Sequence, residues 1–363
     1  MTLAQMGIRR ASLNWSILLG KTSVNPTHEL TNYVTRTGPS LLRSLQSQTN
    51  LRHSRLDSCE SMDRRKTTTS SCLIFNPSAK GGRAKLLRLH LDAFSSSCHL
   101  LATTGPGDAR RLACQAVGDG FETIIAAGGD GTVNEALNGI ADASGGLERA
   151  RLGVLPMGTV NVFARELGMP LRLDDAIEVL QRGRESRIDL PACDLTVDGK
   201  TERRYFIQLG GAGLDSRAVE LVSLRLKKQV GPLAYLIAGV KAYIEKHPAI
   251  TITGGASIAG ELVLLGNGRY YGGAFHFFPR ADLRDGLLDA CVFPTASLAR
   301  IFLVGLGMLG ARPHRFAAGI LLQASEFTLT SASRVCLELD GENAGELPAR
   351  ISILPKALRV IVP

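Results

Sequence analysis

Aromatic residues are scarce in this sequence, at 5% with a single tryptophan, and none of its basic stretches has aromatics interleaved with the cations. That argues against a nucleic-acid partner, which is gripped by stacking platforms set among Lys and Arg. Long apolar runs are missing too. The apolar stretch 301–311, I-F-L-V-G-L-G-M-L-G-A, lies between Arg300 and Arg312 and is too short to cross a bilayer. Near the beginning, the apolar region 15–19 is very short before Lys21, so no signal peptide is expected. The seven cysteines are odd in number and show no C-x-x-C spacing. A zinc site or disulfide framework is therefore not expected, and reduced thiols of a cytosolic protein are. The seven scattered histidines offer no metal-binding pair, and the spacing G-x-x-x-x-G-K-[ST] of a Walker-type phosphate loop does not occur.

With 363 residues, 45% hydrophobic and 21% charged, the chain has the composition of a globular protein and room for two domains. Its net charge of +9 is uneven: residues 1–70 hold ten Lys or Arg against four Asp or Glu, hence +6. That segment is rich in Ser, Thr, Asn and Arg without an apolar period, so it reads as a disordered basic extension. Basic tails are most often simply solvated, and this one could also be drawn to an anionic membrane.

The rest of the chain is organised around residues 123–140, T-I-I-A-A-G-G-D-G-T-V-N-E-A-L-N-G-I. Ile124 to Ala127 is a short apolar run suited to a parallel strand covered on both faces. Val133, Leu137 and Ile140 then recur at i, i+4 and i+7, the stripe of a helix. Gly128, Gly129 and Gly131 stand where the strand hands over to the helix. A glycine turn at a helix N-terminus favours an anion, most simply a phosphate. Asp130 in its midst would repel phosphate unless it holds a cation or takes a proton from an attacking hydroxyl. The competing reading is that Asp130 and Thr132 merely cap the helix.

Three further loops link a strand to a helix. A strand at 72–75 runs into Asn76-Pro77-Ser78-Ala79-Lys80-Gly81-Gly82 and a helix at 84–94; a strand at 99–104 is followed by Gly105-Pro106-Gly107-Asp108 and a helix at 109–117. A strand at 151–155 leads through Pro156-Met157-Gly158-Thr159-Val160-Asn161 to a helix at 162–167. Alternating strands and helices make a parallel α/β layer, whose strand-to-helix loops emerge on one edge, where ligands bind. Beyond Asp194 many short strands are expected, including 205–209, 250–253, 261–265, 288–293, 335–339 and 358–362, with helices at 216–228, 233–245 and 297–309. Gly210-Gly211-Ala212-Gly213 is an incomplete dinucleotide fingerprint. The lone His276 reads as a packed strand residue. Two acidic clusters, residues 282–289 (D-L-R-D-G-L-L-D) and Asp340-Gly341-Glu342, suit a hard cation or an ordinary D-G turn.

Six pieces in order, F-N-P-S-A-K-G-G, A-G-G-D-G-T-V-N-E, L-P-M-G-T-V-N-V-F-A-R, G-A-G-L-D, D-L-R-D-G-L-L-D and D-G-E, resemble the diacylglycerol kinase catalytic family, which includes bacterial lipid kinases and sphingosine kinases. The resemblance covers roughly residues 71–363. It implies an N-terminal three-layer α/β nucleotide-binding domain with a parallel sheet (71–194), a C-terminal β-sandwich-like, lipid-binding domain (195–363) and an active-site cleft between them. The implied activity is transfer of the γ-phosphate of ATP to a lipid hydroxyl, of diacylglycerol, a sphingoid base or a related lipid. By motif position the nucleotide-contacting set is Asn76, Pro77, Ser78, Ala79, Lys80, Thr103, Gly129, Asp130, Gly131, Thr132, Val133, Asn134, Glu135 and Thr159. The Asp282 and Leu287 carbonyls and the Asp285 carboxylate match the family's magnesium site. Glu342 stands at the position of the proton acceptor, and Asp130 is its partner or, as in some relatives, the base itself. The resemblance further implies a cytoplasmic protein that visits the inner membrane surface. A homodimer is common among bacterial relatives and leaves no mark in the sequence. This chain departs from the pattern at Val162, where many relatives carry an aspartate. NAD kinase, which shares G-G-D-G-T and N-E, is the enzymatic alternative; a lipid-binding protein that has lost turnover is the non-enzymatic one.

Overall fold

The computed structural model describes residues 71–77, 87, 98–197, 200–213, 248–271, 275–295 and 319–363. The extension 1–70, Ser78, Ala79 and Lys80, and the helices expected at 216–228, 233–245 and 297–309 lie outside the described residues; of the helix expected at 84–94 only Leu87, helical and buried, is described.

The first half is the expected parallel layer. Strands β1 (Ser71–Phe75), β2 (His99–Ala102), β3 (Thr123–Gly128) and β4 (Arg151–Pro156) lie in the order β2-β1-β3-β4, all parallel. All six residues of β3 are buried, as an apolar strand covered on both faces must be. Helices α1 (Asp108–Gly118), α2 (Asp130–Asp142), α3 (Gly146–Arg149), α4 (Val162–Glu166) and α5 (Leu173–Arg182) connect and cover these strands. On α2 the buried positions Val133, Ala136, Leu137 and Ile140 form the stripe read from the sequence.

The second half is rich in antiparallel strands: β5 (Arg184–Val197), β6 (Lys200–Tyr205), β7 (Leu209–Gly213), β8 (Ile250–Gly254), β9 (Ala256–Gly260), β10 (Leu262–Gly266), β11 (Tyr270–Tyr271), β12 (Phe275–His276), β13 (Leu288–Phe293), β14 (Ile320–Ala324), β15 (Glu326–Ser331), β16 (Cys336–Leu339) and β17 (Glu342–Val362). Its core is a separate cluster that includes Cys193, Phe206, Val263, Leu288, Phe327, Leu337 and Ile351. The 21-residue β17 joins the halves: it pairs with β16 and β15, runs antiparallel to β5, and ends parallel to β4 at Val360 and Leu152. Leu358 and Val360 consequently pack in the α/β core.

One expectation about this half changes. The strand expected over 205–209 stops at Tyr205, because the next amides turn toward a carboxylate described below. Gly210 to Gly213, the incomplete fingerprint, is buried in strand β7, paired on both sides by β10 and β16.

Candidate active site

The C-terminal ends of the parallel strands bring the sequence-predicted loops to one edge: Asn76 and Pro77 follow β1, Thr103 follows β2, Gly129 follows β3 and Thr159 follows β4. Thr103 is buried and donates its amide to the Phe75 carbonyl at 2.9 Å, tying the first two loops together. The third and fourth are tied by the Met157 amide on the Gly128 carbonyl at 2.9 Å. They touch at glycine: a Cβ on Gly158 would lie 2.6 Å from the Gly129 Cα, so a side chain there forces the turns apart. Asn161, buried and left-handed at φ 52°, closes its own loop by accepting the Gly158 amide and donating to the Gly158 carbonyl, both at 2.8 Å. Thr159 is left exposed at the tip.

Asp130 does not cap its own helix. The N-cap of α2 is Gly129, which makes no side-chain capping bond, and the Asp130 carboxylate instead accepts the Phe163 amide at 3.2 Å, in the first turn of α4. The capping reading therefore fails for α2. Val162, beside that amide, is buried. The carboxylate of Glu342, more than 200 residues away in the chain, comes down onto the same turn: its Oε1 would stand 3.4 Å from a Cβ on Gly131. Gly131 is the residue after Asp130, so the two expected acids meet at one turn.

The rest of the helix start is occupied with the protein itself. Val133 is buried in the core, and its amide donates to the Gly129 carbonyl at 3.1 Å. Glu135 accepts the amides of Gly107 at 2.8 Å and Ala109 at 3.0 Å, capping α1. Asn134 donates to Asp340 Oδ2 at 2.7 Å and to the Tyr205 carbonyl at 3.3 Å. Asp340 also accepts the amides of Ile207 at 2.8 Å and of Gln208 and Leu209 at 3.0 Å each. Burial pushes its carboxyl up, and these donors pull it down in part. Glu342 stands in a pocket of about 210 Å³ whose walls include Gly107, Arg110, Asn134, Glu135 and Arg204. Arg110 is held by Asp142 in a two-bond pair, at 2.5 and 2.8 Å. The pocket thus adjoins the expected nucleotide set and the expected base at once.

Behind α4 lies a pairing that the sequence does not announce. Glu166, with 3% of its side chain exposed, accepts from the Arg269 amide at 2.8 Å, Arg269 Nε at 2.9 Å, the Tyr270 amide at 3.1 Å and Gln208 Nε2 at 3.0 Å. It ties the α4 helix, whose amide holds Asp130, to the β-rich half.

The acidic loop 282–287 can be tested for a cation. Asp285 Oδ1 accepts the Leu287 amide at 2.9 Å and Asp282 Oδ1 the Arg284 amide at 3.1 Å, so the loop is tightly folded. Asp189, buried, accepts the Gly286 amide and the Lys356 amide at 2.7 Å each and stands behind the loop. Burial pushes the Asp285 carboxyl above its ordinary range, and the charges of Asp282 and Asp189 add to the push. Accumulated negative charge on oxygen donors fits a hard divalent cation. Among the described residues no group of three or more His, Cys, Asp or Glu side chains could hold a metal; the donor set at issue here is one carboxylate and two backbone carbonyls.

Asp189, Asp340, Glu166 and Arg269 are the site-building residues that motif reading passed over. Only Asp340 lay inside a recognised motif, and its partners, the 207–209 amides and the Asn134 side chain, are brought to it by the fold.

Comparison with known proteins gives the family. Residues 70–193 match the "Diacylglycerol kinase catalytic domain" and residues 210–362 the "YegS C-terminal NAD kinase beta sandwich-like domain". The chain is 31% identical over 306 residues to the diacylglycerol kinase of Staphylococcus carnosus (strain TM300), covering 80% of this chain and 94% of the relative. It is 31% identical over 303 residues to that of Staphylococcus aureus (strain MRSA252), covering 80% and 91%. The crystal structure of a diacylglycerol kinase from Bacillus anthracis str. Sterne superposes with a TM-score of 0.62 at 25% identity, covering 82% of this chain and 98% of that one. With both halves matched and 31% identity over 80% of its length, the chain belongs to the diacylglycerol kinase catalytic-domain family.

Proposed function

We propose that the protein is an ATP-dependent lipid kinase that transfers the γ-phosphate of ATP to a lipid hydroxyl, diacylglycerol being the first acceptor to test. The observation that carries this reading is the approach of the Glu342 carboxylate to Gly131, beside Asp130, at the phosphate-compatible turn. The acceptor hydroxyl gives its proton to Glu342 as its oxygen bonds to the γ-phosphorus; the bond from that phosphorus to the β–γ bridging oxygen breaks, and ADP leaves. Asp130, bonded to the Phe163 amide, keeps α4 and the loop after β4 against the glycine turn, leaving the backbone N–H groups of 129–132 to bind the phosphates. Asn76 to Lys80, Thr103, Gly129 to Val133 and Thr159 are the proposed nucleotide contacts; Asn134 and Glu135 adjoin them, with their side chains held by Asp340 and by the Gly107 and Ala109 amides.

The Asp285 carboxylate with the Asp282 and Leu287 carbonyls would hold magnesium. Bound there, the ion supplies positive charge that relieves the repulsion among Asp282, Asp285 and Asp189. A natural division falls near Asp194, with nucleotide binding before it and lipid binding after. Among the described residues no helix is long and apolar enough to cross a membrane. Access to a lipid is proposed to come by peripheral contact at the inner membrane surface, from the cytoplasm, and a homodimer is compatible with every element above.

The test is purified protein with labelled ATP and magnesium, offered diacylglycerol, sphingosine, ceramide and NAD separately. Label in diacylglycerol supports the proposal. Label in NAD alone would replace it with NAD kinase, and tight lipid binding without label would leave a carrier.

A further inference from the structure

We infer that Asn134 and Asp340 form a strut between the lobes that sets Glu342 over the glycine turn, and that Asn134 is a positioning residue rather than a side-chain contact for the nucleotide. The side chain of Asn134 is already spoken for. Its Nδ2 donates to Asp340 Oδ2 at 2.7 Å and to the Tyr205 carbonyl at 3.3 Å, and its Oδ1 accepts Asn138 Nδ2 at 3.1 Å. Asn138 continues the seam by donating to the Tyr205 carbonyl at 2.9 Å and accepting the Tyr205 amide at 3.0 Å.

Position gives the strut its leverage. Asn134 follows Asp130 by four residues, one helical turn, so the two share a face of α2. Asp340 precedes Glu342 by two residues and lies in a left-handed turn, φ 50°, followed by Gly341 at φ 89°. Such a turn has little slack, since few side chains tolerate that backbone region. Both of its flanks are anchored. On one side Asp340 collects three consecutive amides, those of Ile207, Gln208 and Leu209, and returns its own amide to the Leu209 carbonyl at 2.9 Å. On the other the Gly341 amide donates to the buried carboxylate of Glu338. The hydrogen bond from Asn134 to Asp340 then joins this rigid turn directly to the helix that starts at Asp130, beside the bonds of Asn134 and Asn138 to Tyr205. Glu342 and Asp130 sit one short step from its two ends, so its loss lets the base drift relative to the phosphate turn.

The inference rests on the lipid-kinase reading only for its kinetic readout. Asp340→Asn sets an amide donor against a cluster of donors and risks the fold, so Asn134→Ala, which removes one donor and leaves the amide trio in place, is the primary variant. With ATP and diacylglycerol, kcat of Asn134→Ala should fall by about a hundredfold, the penalty for a base displaced by roughly 1 Å, while KM for ATP holds near the wild-type value. Hydrogen exchange of the Ile207, Gln208 and Leu209 amides, measured without substrate, should accelerate in both variants. A raised KM for ATP at unchanged kcat would make Asn134 a nucleotide contact and overturn the inference, as would unchanged kinetics or unchanged exchange. Wild-type protein inactive on every acceptor would refute the kinase reading instead, and the exchange measurement would still decide the strut.

Discussion

Glu342 rests its carboxylate against Gly131, with Oε1 3.4 Å from where a Cβ would be. The spacing is an ordinary van der Waals contact, so alanine fits the fold while filling the space beside the carboxylate where a phosphate would approach. Gly131 also lies inside α2, where alanine is the better helix former by about 1 kcal/mol. Gly131→Ala should therefore keep or slightly raise the thermal midpoint and yet lower turnover by tenfold or more, roughly what loss of a positioned general base costs at the low end. Calorimetry and a phosphotransfer assay on the same preparation check the pair of effects. A variant with full turnover would remove Glu342 from the reacting atoms.

Gly158→Ala should behave in the opposite way. Its new methyl would stand 2.6 Å from the Gly129 Cα and 2.8 Å from Asn161 Oδ1, and the first of these is backbone that cannot rotate aside. Overpacking of this kind costs about 1–3 kcal/mol. Both stability and ATP affinity should fall, because the loops after β3 and β4 separate. Urea unfolding and nucleotide titration report the two losses, and a normal midpoint would mean that the loops move apart without strain.

The strand, turn and helix around Asp130 are legible because their periods are local: an apolar run, three glycines and a 3.6-residue stripe all fall within eighteen residues. The strand at Leu288–Phe293 is legible for the same reason, and the structure returns it unchanged. The strand β7 is not, since glycine is a weak strand former and Leu209–Gly213 is extended only because β10 and β16 hold it from either side. The length of β17 is equally hidden: only 358–362 reads as a strand locally, while pairing with β5, far earlier in the chain, extends it back to Glu346 and pairing with β16 takes it to Glu342. In the site, motif spacing picks out Asp130, Glu342, Asn134 and Glu135 but not what holds the last two. Their side-chain partners, Asp340 and the α1 amides, are 206 and 28 or 26 residues distant, beyond the reach of any local pattern.

Asp108 provides a pH test. Its carboxylate accepts the Thr104 hydroxyl at 2.7 Å and the Thr104 amide at 2.8 Å and pairs with Arg111 at 2.6 Å. The Thr104 bonds, and then Arg111, hold its pKa down at about 2. A carboxyl whose pKa drops on folding stabilises the native state above its unfolded value, near 3.8, and loses that contribution as the pH falls toward 2. Asp108→Asn should lower the urea midpoint at pH 7 by a small amount, under about 1 kcal/mol for a group so near the surface. The gap between variant and wild type should close between about pH 4 and pH 2. A gap independent of pH would mean that the loop depends on shape, not on charge.

Glu166 and Arg269 make the strongest stability prediction. The Glu166 side chain is 3% exposed and the Arg269 side chain 48%, so the acid is the buried partner and the base reaches in from the surface. The hydrogen bond to Glu166 is also the main reason that the Arg269 guanidinium holds its proton more tightly than usual. Glu166→Gln would turn an amide NH2 toward either Arg269 Nε or the amides of Arg269 and Tyr270, opposing donor to donor. Breaking one side of a buried pair costs about 3–5 kcal/mol, and the exposed guanidinium should bring the loss to about 2–3 kcal/mol. Arg269→Ala should cost less, because the Arg269 and Tyr270 amides and Gln208 still satisfy the carboxylate. A double-mutant cycle by thermal unfolding yields the coupling between the two. Since Phe163, whose amide holds Asp130, lies in the same five-residue helix as Glu166, the loss of stability should be accompanied by weaker ATP binding. Unchanged affinity in a destabilised Glu166→Gln would show that α4 keeps its grip on Asp130 without help from the β-rich half.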